Sequence, residues 1–269
     1  MKIAVLGCGP AGLLVAHAAR MTGNIVIIFS KRQRSPMRGA QYQHVEIPGI
    51  PGNQPELLKY TLVGTVDDYR EKVYAARNPD IIVSPAEYEG VHKCWDLRHA
   101  YDWLWHQFGN NVVNVEVTHT LLSQLTDSFD LVISTVPAPV LCEQEHQFNC
   151  INVWIDSCWM GPTTDEDPGL WRGIQHLVIC NGLPMDSHRP ERTGWYRSSN
   201  IFQAANTEWS SLESIPKRRN KPGLLFKVRK PISTDCVCWP SIVRAGRYGA
   251  WRKGVLTHHA FQEAMAILE

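Results

Sequence analysis

The first twenty residues, MKIAVLGCGPAGLLVAHAAR, place Gly7, Gly9 and Gly12 between a short apolar run and a helical apolar run. Residues 1–6 read as a buried strand and Leu13 to Arg20 as a helix, so the three glycines fall on the connecting turn. In a G-x-G-x-x-G turn the first glycine permits the tight bend and the second lets backbone approach a phosphate. The third lets the helix pack closely on the strand. The free N–H groups and dipole of that helix then face an anion. Gly23-Asn24 marks a turn and IVIIFS a second buried strand, which completes a βαβ unit within about 30 residues. That context turns a common glycine pattern into a dinucleotide site.

The remaining features fix the class. A chain of 269 residues can bury a large core as one domain or as two intimate lobes. Its formal charge of +1, with 20% charged residues, argues against a dedicated nucleic-acid binder. No run approaches the roughly 18 apolar residues of a membrane span, and the N-terminus lacks a cleavable leader pattern. A cytosolic protein is the simplest expectation. The eight cysteines include no CxxC pair and read as reduced, mostly buried thiols, Cys236 and Cys238 sharing one face of an extended segment. No HExxH motif or His/Cys cluster is visible, and His258 and His259 point to different helix faces, so no metal is expected. Ten tryptophans, many beside polar neighbours, suit the walls of a planar-ligand pocket as well as a core.

Between Lys31 and Gly90 the pattern breaks up around the loop EIPGIPGNQP and a short helix, VDDYREKVYAAR. A helix over WDLRHAYDWLWHQFG ends at Gly109 and is followed by strands over VVNVEV and FDLVISTVPAPV, the latter stopped by Pro137 and Pro139. Residues 143–235 alternate polar and apolar and read as antiparallel sheet with long loops. A glycine-bearing turn then leads into a closing helix. The expected fold is α/β: a Rossmann-like FAD/NAD(P)-binding domain built on a parallel sheet (residues 1–45, 91–142 and 236–269). It is interrupted by a mainly antiparallel substrate lobe (46–90 and 143–235).

The usual acidic ribose ligand at the end of the second strand is replaced by Ser30, followed by Lys31, Arg32 and Arg34. A hydroxyl with these cations suits a ribose 2′-phosphate, so the residues alone leave FAD and NADP both open, with NAD a further option.

GCGPAGL resembles the N-terminal fingerprint of flavoproteins with the glutathione-reductase-like FAD fold. DLVISTVPAPVL resembles the strand near the flavin in the amine oxidase, protoporphyrinogen oxidase and UDP-galactopyranose mutase group. AGRYGAWRKGVLTHHAFQEAMAIL is similar to that group's C-terminal segment, and RGAQYQHVEIPG to its segment beside the isoalloxazine. These matches cover the cofactor half in three pieces, and the general look is that of small phage-encoded FAD-binding proteins. The chain is much shorter than typical members, which implies a reduced substrate lobe.

The resemblance implies FAD, with Gly7, Gly9, Pro10, Ala11 and Gly12 along the pyrophosphate. At the adenosine end this sequence departs from the family by lacking the acidic ligand, and Ser30 and Lys31 are the candidates there. Arg38, Gly39, Ala40, Gln41 and Tyr42 would pass beside the ribityl chain and ring, and Val117 would present backbone to the adenine. Thr135, Val136 and Pro137 would approach from the STVPA strand. Gly246, Arg247, Tyr248 and Gly249 would close over the cofactor, Arg247 neutralising phosphate charge. Candidate catalytic residues are His44 as a base, Tyr196, Arg197 or Arg252 as a carboxylate or phosphate anchor, and Trp251 as an aromatic wall. The leading expectation is hydride transfer from a small polar substrate, such as an amine or amino-acid-like group, to flavin. A redox-neutral mutase-like enzyme, a non-catalytic FAD or NADP binder, and a viral DNA-modifying oxidase binding a nucleic-acid strand along residues 189–252 are the alternatives.

Overall fold

The computed structural model describes residues 1–31, 34, 37, 39, 41–74, 83–157, 176–216 and 225–269. In chain order the strands are β1 (Lys2–Leu6), β2 (Ile25–Ser30), β3 (Tyr42–Gln43), β4 (Glu56–Gly64), β5 (Gly90–Asp96), β6 (Val112–Asn114), β7 (Leu131–Ser134), β8 (Phe148–Asp156), β9 (His176–Gly182), β10 (Trp195–Ile201), β11 (Ala204–Trp209), β12 (Leu225–Thr234) and β13 (Ile242–Arg244). The described helices are α1 (Pro10–Met21), α2 (Val66–Tyr74), α3 (Leu97–Phe108), α4 (His119–Ser128), α5 (Pro190–Thr193), α6 (Gly246–Gly249) and α7 (Thr257–Leu268).

Five strands form a parallel sheet in the order β13-β7-β1-β2-β6. Parallel strands are buried on both faces, and helices cover both here. On one face α1, α3 and α7 pack over Ile3, Val5, Ile28 and Ile133. On the other, Leu122 and Leu125 of α4 meet Ala4, Leu6 and Val132. The period-2 alternation along β1 thus feeds two different cores. Helix α1 begins at Pro10, three residues before the expected start, because Pro at the first helical position has its φ already set. Helix α3 starts where the Asp96 carboxylate accepts from the Arg98 N–H at 2.8 Å.

Eight strands form the second sheet, in the order β12-β8-β11-β10-β9-β4-β5-β3. Two features depart from expectation. The nine-residue β4 lies in the stretch read as broken up, and it runs parallel to β9 within an otherwise antiparallel sheet. One face of this sheet packs on α2 through Leu58, Tyr60, Tyr69 and Val178. The other buries Trp195 and Trp209, two tryptophans that serve as core. Through the described strands the chain passes between the sheets four times, from β2 to β3, β5 to β6, β7 to β8 and β12 to β13. The last two passages lie side by side because β7 pairs with β13 and β8 with β12. Among the described residues no helix is long and apolar enough to cross a membrane.

Candidate active site

The glycine turn is held by backbone. Gly7 has φ +97° and donates its N–H to the Phe29 carbonyl at 2.9 Å, tying the turn to the end of β2. A Cβ on Gly12 would lie 1.9 Å from the Gly7 oxygen and 2.9 Å from Thr135 Oγ1, so no side chain fits there. Thr135 in turn donates its hydroxyl to the Leu6 carbonyl at 2.8 Å, and Val136 packs on Gly7. Gly9 is different: it caps α1 in an extended conformation, and a Cβ there would meet none of the described residues within 4 Å. The first turn of α1 carries no acidic residue, and its N–H groups have no side-chain cap among the described residues.

The C-terminal segment closes on this turn. At Gly246 a Cβ would lie 3.0 Å from the Ala11 Cβ, and at Gly249 one would lie 2.5 Å from the Ser134 carbonyl oxygen. Both glycines let α6 lie across the end of β7 and the start of α1. Arg247 of α6 is half-buried, its Nε donating to the Val255 carbonyl at 3.0 Å. Burial holds its pKa below the ordinary arginine value. Tyr248 donates its hydroxyl to the Arg229 carbonyl at 3.1 Å.

Beyond the turn lies a half-buried polar cluster on the face of the large sheet. Arg197 on β10 sits in register with Cys180 of β9 and Glu208 of β11. Its Nε donates to the Tyr69 hydroxyl at 2.6 Å. Glu208 pairs with Lys230 at 2.5 Å. Burial alone would raise the Glu208 carboxyl; Lys230 and Arg197 reverse that and hold it below the usual range. Tyr42 shares a hydrogen bond with Tyr60, whose hydroxyl lies 3.4 Å from His44 Nε2, while His44 Nδ1 lies 3.4 Å from the Lys93 carbonyl. That carbonyl accepts only from N–H, which assigns the proton to Nδ1 and leaves Nε2 as acceptor. Burial lowers the His44 pKa and favours the neutral ring. Lys253, which sequence reasoning missed, donates to the Val73 carbonyl at 2.5 Å and sits over the Tyr74 ring. Burial, reinforced by the positive charge of Arg197, pulls its pKa down to about 6. Arg197, Lys230 and Arg247 thus face one carboxylate, Glu208, and the cluster is net positive.

Several expected residues sit elsewhere. Arg252 is a surface charge with a 66% exposed side chain, 3.9 Å from Glu263. Trp251 is 3% exposed, packs on Phe148 and donates its indole N–H to the Asn149 carbonyl at 3.1 Å. It fastens α6 to β8 instead of walling a pocket. Tyr196 is half-buried on β10, where burial and the nearby Glu208 charge raise its pKa. Lys31 pairs with Glu116 at 2.9 Å, and Arg34 pairs with Asp102. Ser30 is buried and its hydroxyl receives the Cys8 thiol at 3.3 Å. Val117 packs with the cluster under α4, and it is Val115 whose N–H extends the pairing to the Ser30 carbonyl at 3.2 Å. Gly39 is buried with φ +75° and its carbonyl accepts from Arg98 at 2.7 Å, while the Gln41 carbonyl accepts from the Leu97 N–H. Pro137 caps the 3-10 turn that follows β7. Arg38, Ala40 and Arg32 lie outside the described residues. The rings of His258 and His259 touch, with centroids 4.4 Å apart, because His259 turns back to accept the Leu256 N–H.

The absence of a His/Cys cluster also needs correction. Cys142, His146, Cys236 and Cys238 bring their donor atoms together within 4.8 Å. Neither of the two sequence segments, C-x₃-H and C-x-C, looks like a ligand set alone; the pairing of β8 with β12 assembles them.

Reduced UDP-galactopyranose mutase shares this fold with a TM-score of 0.59 at 10% identity, covering 99% of this chain and 93% of that one. A mutant of MHPCO, a 2-methyl-3-hydroxypyridine-5-carboxylic acid oxygenase, does so with a TM-score of 0.52 at 12% identity, covering 99% and 81%. No protein-family model and no curated protein matches the chain.

Proposed function

We propose that the chain is an FAD-dependent enzyme that oxidises a small anionic substrate of the amine or amino-acid type. The observation that carries this reading is the open space over Gly9, bounded by the backbone contact of Gly12 on Gly7 and sealed by Gly246 against Ala11. Main-chain N–H groups and a helix dipole there suit a diphosphate. The residues fit such a group on a second count. The Ser134 hydroxyl and both amide atoms of Gln43 are buried without a hydrogen-bond partner among the described residues, as polar atoms reserved for a ligand would be. FAD is favoured over NADP because Lys31 and Arg34, two of the three cations suited to a 2′-phosphate, are already matched by carboxylates.

Gly7, Gly9 and Gly12 would hold the diphosphate, and Gly246 to Gly249 would cover it. Bound flavin supplies the hydride acceptor. Arg197, fixed by Tyr69, offers its guanidinium edge to a carboxylate. A proton leaving the substrate has a path through Tyr42 and Tyr60 to neutral His44 Nε2. A second reading, a redox-neutral mutase acting on a nucleotide sugar, is favoured by the likeness to reduced UDP-galactopyranose mutase and by the same cationic cluster.

The test is the visible spectrum of the purified protein followed by anaerobic mixing. A yellow protein bleached by an amine or amino-acid donor supports the oxidase. Conversion of a nucleotide sugar only after chemical reduction supports the mutase. A colourless protein that takes up no flavin overturns both.

A further inference from the structure

Two neighbouring crossings between the sheets, β7 to β8 and β12 to β13, carry thiols. Cys142 follows the 3-10 turn Ala138–Val140 as the chain leaves β7, and His146 stands two residues before β8. Cys236 and Cys238 follow β12 on the way back to β13. The Cys142 and Cys238 sulfurs lie 3.2 Å and 3.7 Å from His146 Nδ1. All four donor atoms fall within 4.8 Å of one another. In a tetrahedron with metal–sulfur bonds of about 2.3 Å and a metal–nitrogen bond of about 2.0 Å, ligand atoms are separated by roughly 3.5–3.8 Å. The four side chains are therefore within about an ångström of that geometry.

We propose that Cys142, His146, Cys236 and Cys238 form a structural zinc site. Three soft thiolates and one imidazole in a tetrahedral set select zinc, and four protein ligands leave no open coordination position. Binding releases the three thiol protons to solvent. Three thiolates and a neutral imidazole on a divalent ion leave one net negative charge, and Arg244 of β13 stands ready to balance it. Its guanidinium donates to the Cys236 carbonyl at 3.1 Å, the Cys238 carbonyl at 2.7 Å and the Cys236 sulfur at 3.4 Å. Such a partner both orients the ligand loop and offsets its charge. The same two crossings are already joined where Gln147 N–H donates to the Asp235 carboxylate and Thr234 donates to the Gln147 carbonyl, each at 2.8 Å. The ion would thus clip the parallel sheet to the large sheet where the chain passes between them, independently of what the glycine turn binds.

The experiment is elemental analysis of the full chain, expressed with added zinc and purified under reducing conditions without chelator, together with cobalt(II) replacement. The expected result is one zinc per chain, and for the cobalt form intense d–d bands of a tetrahedral ion with a thiolate charge-transfer band. The Cys236→Ser/Cys238→Ser double variant and His146→Asn should lose most of the zinc, whereas Cys150→Ser, outside the cluster, should keep it. Wild-type protein that holds only trace zinc and gives no cobalt–thiolate band overturns the proposal, whatever the variants do. So does full zinc retention by the double variant, or recovery of Cys142 and Cys236 as a disulfide in protein lacking zinc.

Discussion

Alanine at Gly9 and alanine at Gly12 should separate the ligand from the fold. Gly9 has φ −69° and ψ 178°, which any residue adopts, and its Cβ would meet no atom of the described residues within 4 Å. The only folding cost of Gly9→Ala is the poorer helix cap, about 1 kcal/mol at most. At Gly12 the added carbon would lie 1.9 Å from the Gly7 carbonyl oxygen, and backbone must move. Overpacking of that kind costs about 1–3 kcal/mol or more, and in a chain of this size each kcal/mol lowers Tm by roughly 2–4 °C. The binding effect is reversed in emphasis. A methyl group over Gly9 occupies the approach of a phosphate oxygen and removes at least one charge-assisted hydrogen bond, about 1.5–3 kcal/mol. At 1.4 kcal/mol per decade, FAD should bind Gly9→Ala roughly 10- to 100-fold more weakly. The assay is flavin-fluorescence titration of the flavin-stripped protein, paired with thermal unfolding. If Gly9→Ala binds FAD within about twofold of wild type while staying folded, the diphosphate does not lie over Gly9 and the proposed function fails.

Other outcomes follow from the buried charges and the C-terminal turn. Glu208→Gln should cost about 2 kcal/mol by leaving Lys230 unmatched, less than a fully buried pair because each side chain keeps about a fifth of its surface. The Glu208→Leu/Lys230→Met double variant should recover most of that loss in a denaturant titration. Lys253 has a folded pKa near 6 against an ordinary 10.5, so between those values the unfolded chain holds a proton that the folded chain lacks. Stability from this group therefore rises with pH through that window, and melts of Lys253→Met from pH 6 to 9 should show a shallower rise than wild type. Gly249→Ala, with its Cβ 2.5 Å from the Ser134 carbonyl, should lower Tm and loosen flavin retention together.

What could be read from sequence was what local chemistry decides. The glycine turn, the β-branched IVIIFS strand and the helix stopped at Gly109 each depend on neighbours in the chain. β4 was legible but missed: Leu58, Tyr60 and Leu62 alternate with Lys59 and Thr61, and the exposed Leu57 breaks the period. Trp251 and Arg252 are adjacent on one turn, and nothing in their sequence tells which faces inward. The Glu208–Lys230 pair and the Cys142–Cys238 cluster depend on registers between distant strands. A charged residue recurring inside an apolar strand, as in TEW and KVRKPIST, was the one available hint of the first. C-x₃-H and C-x-C are each half of the second.

The placement of β1 has a kinetic consequence. It precedes the other described strands in the sequence and occupies the middle of its sheet, yet Leu6 pairs with Ser134, and Ser134 with Arg244. Its hydrogen-bonding edge toward β7 stays bare until residues 131–134 have followed, and β13, at the edge of the sheet, comes later still at residues 242–244. Non-local parallel pairing of this kind is slow and exposes sticky edges on the way. Refolding from denaturant should accordingly be sluggish and concentration-sensitive, and production in cells should gain from chaperones that shield the waiting strand.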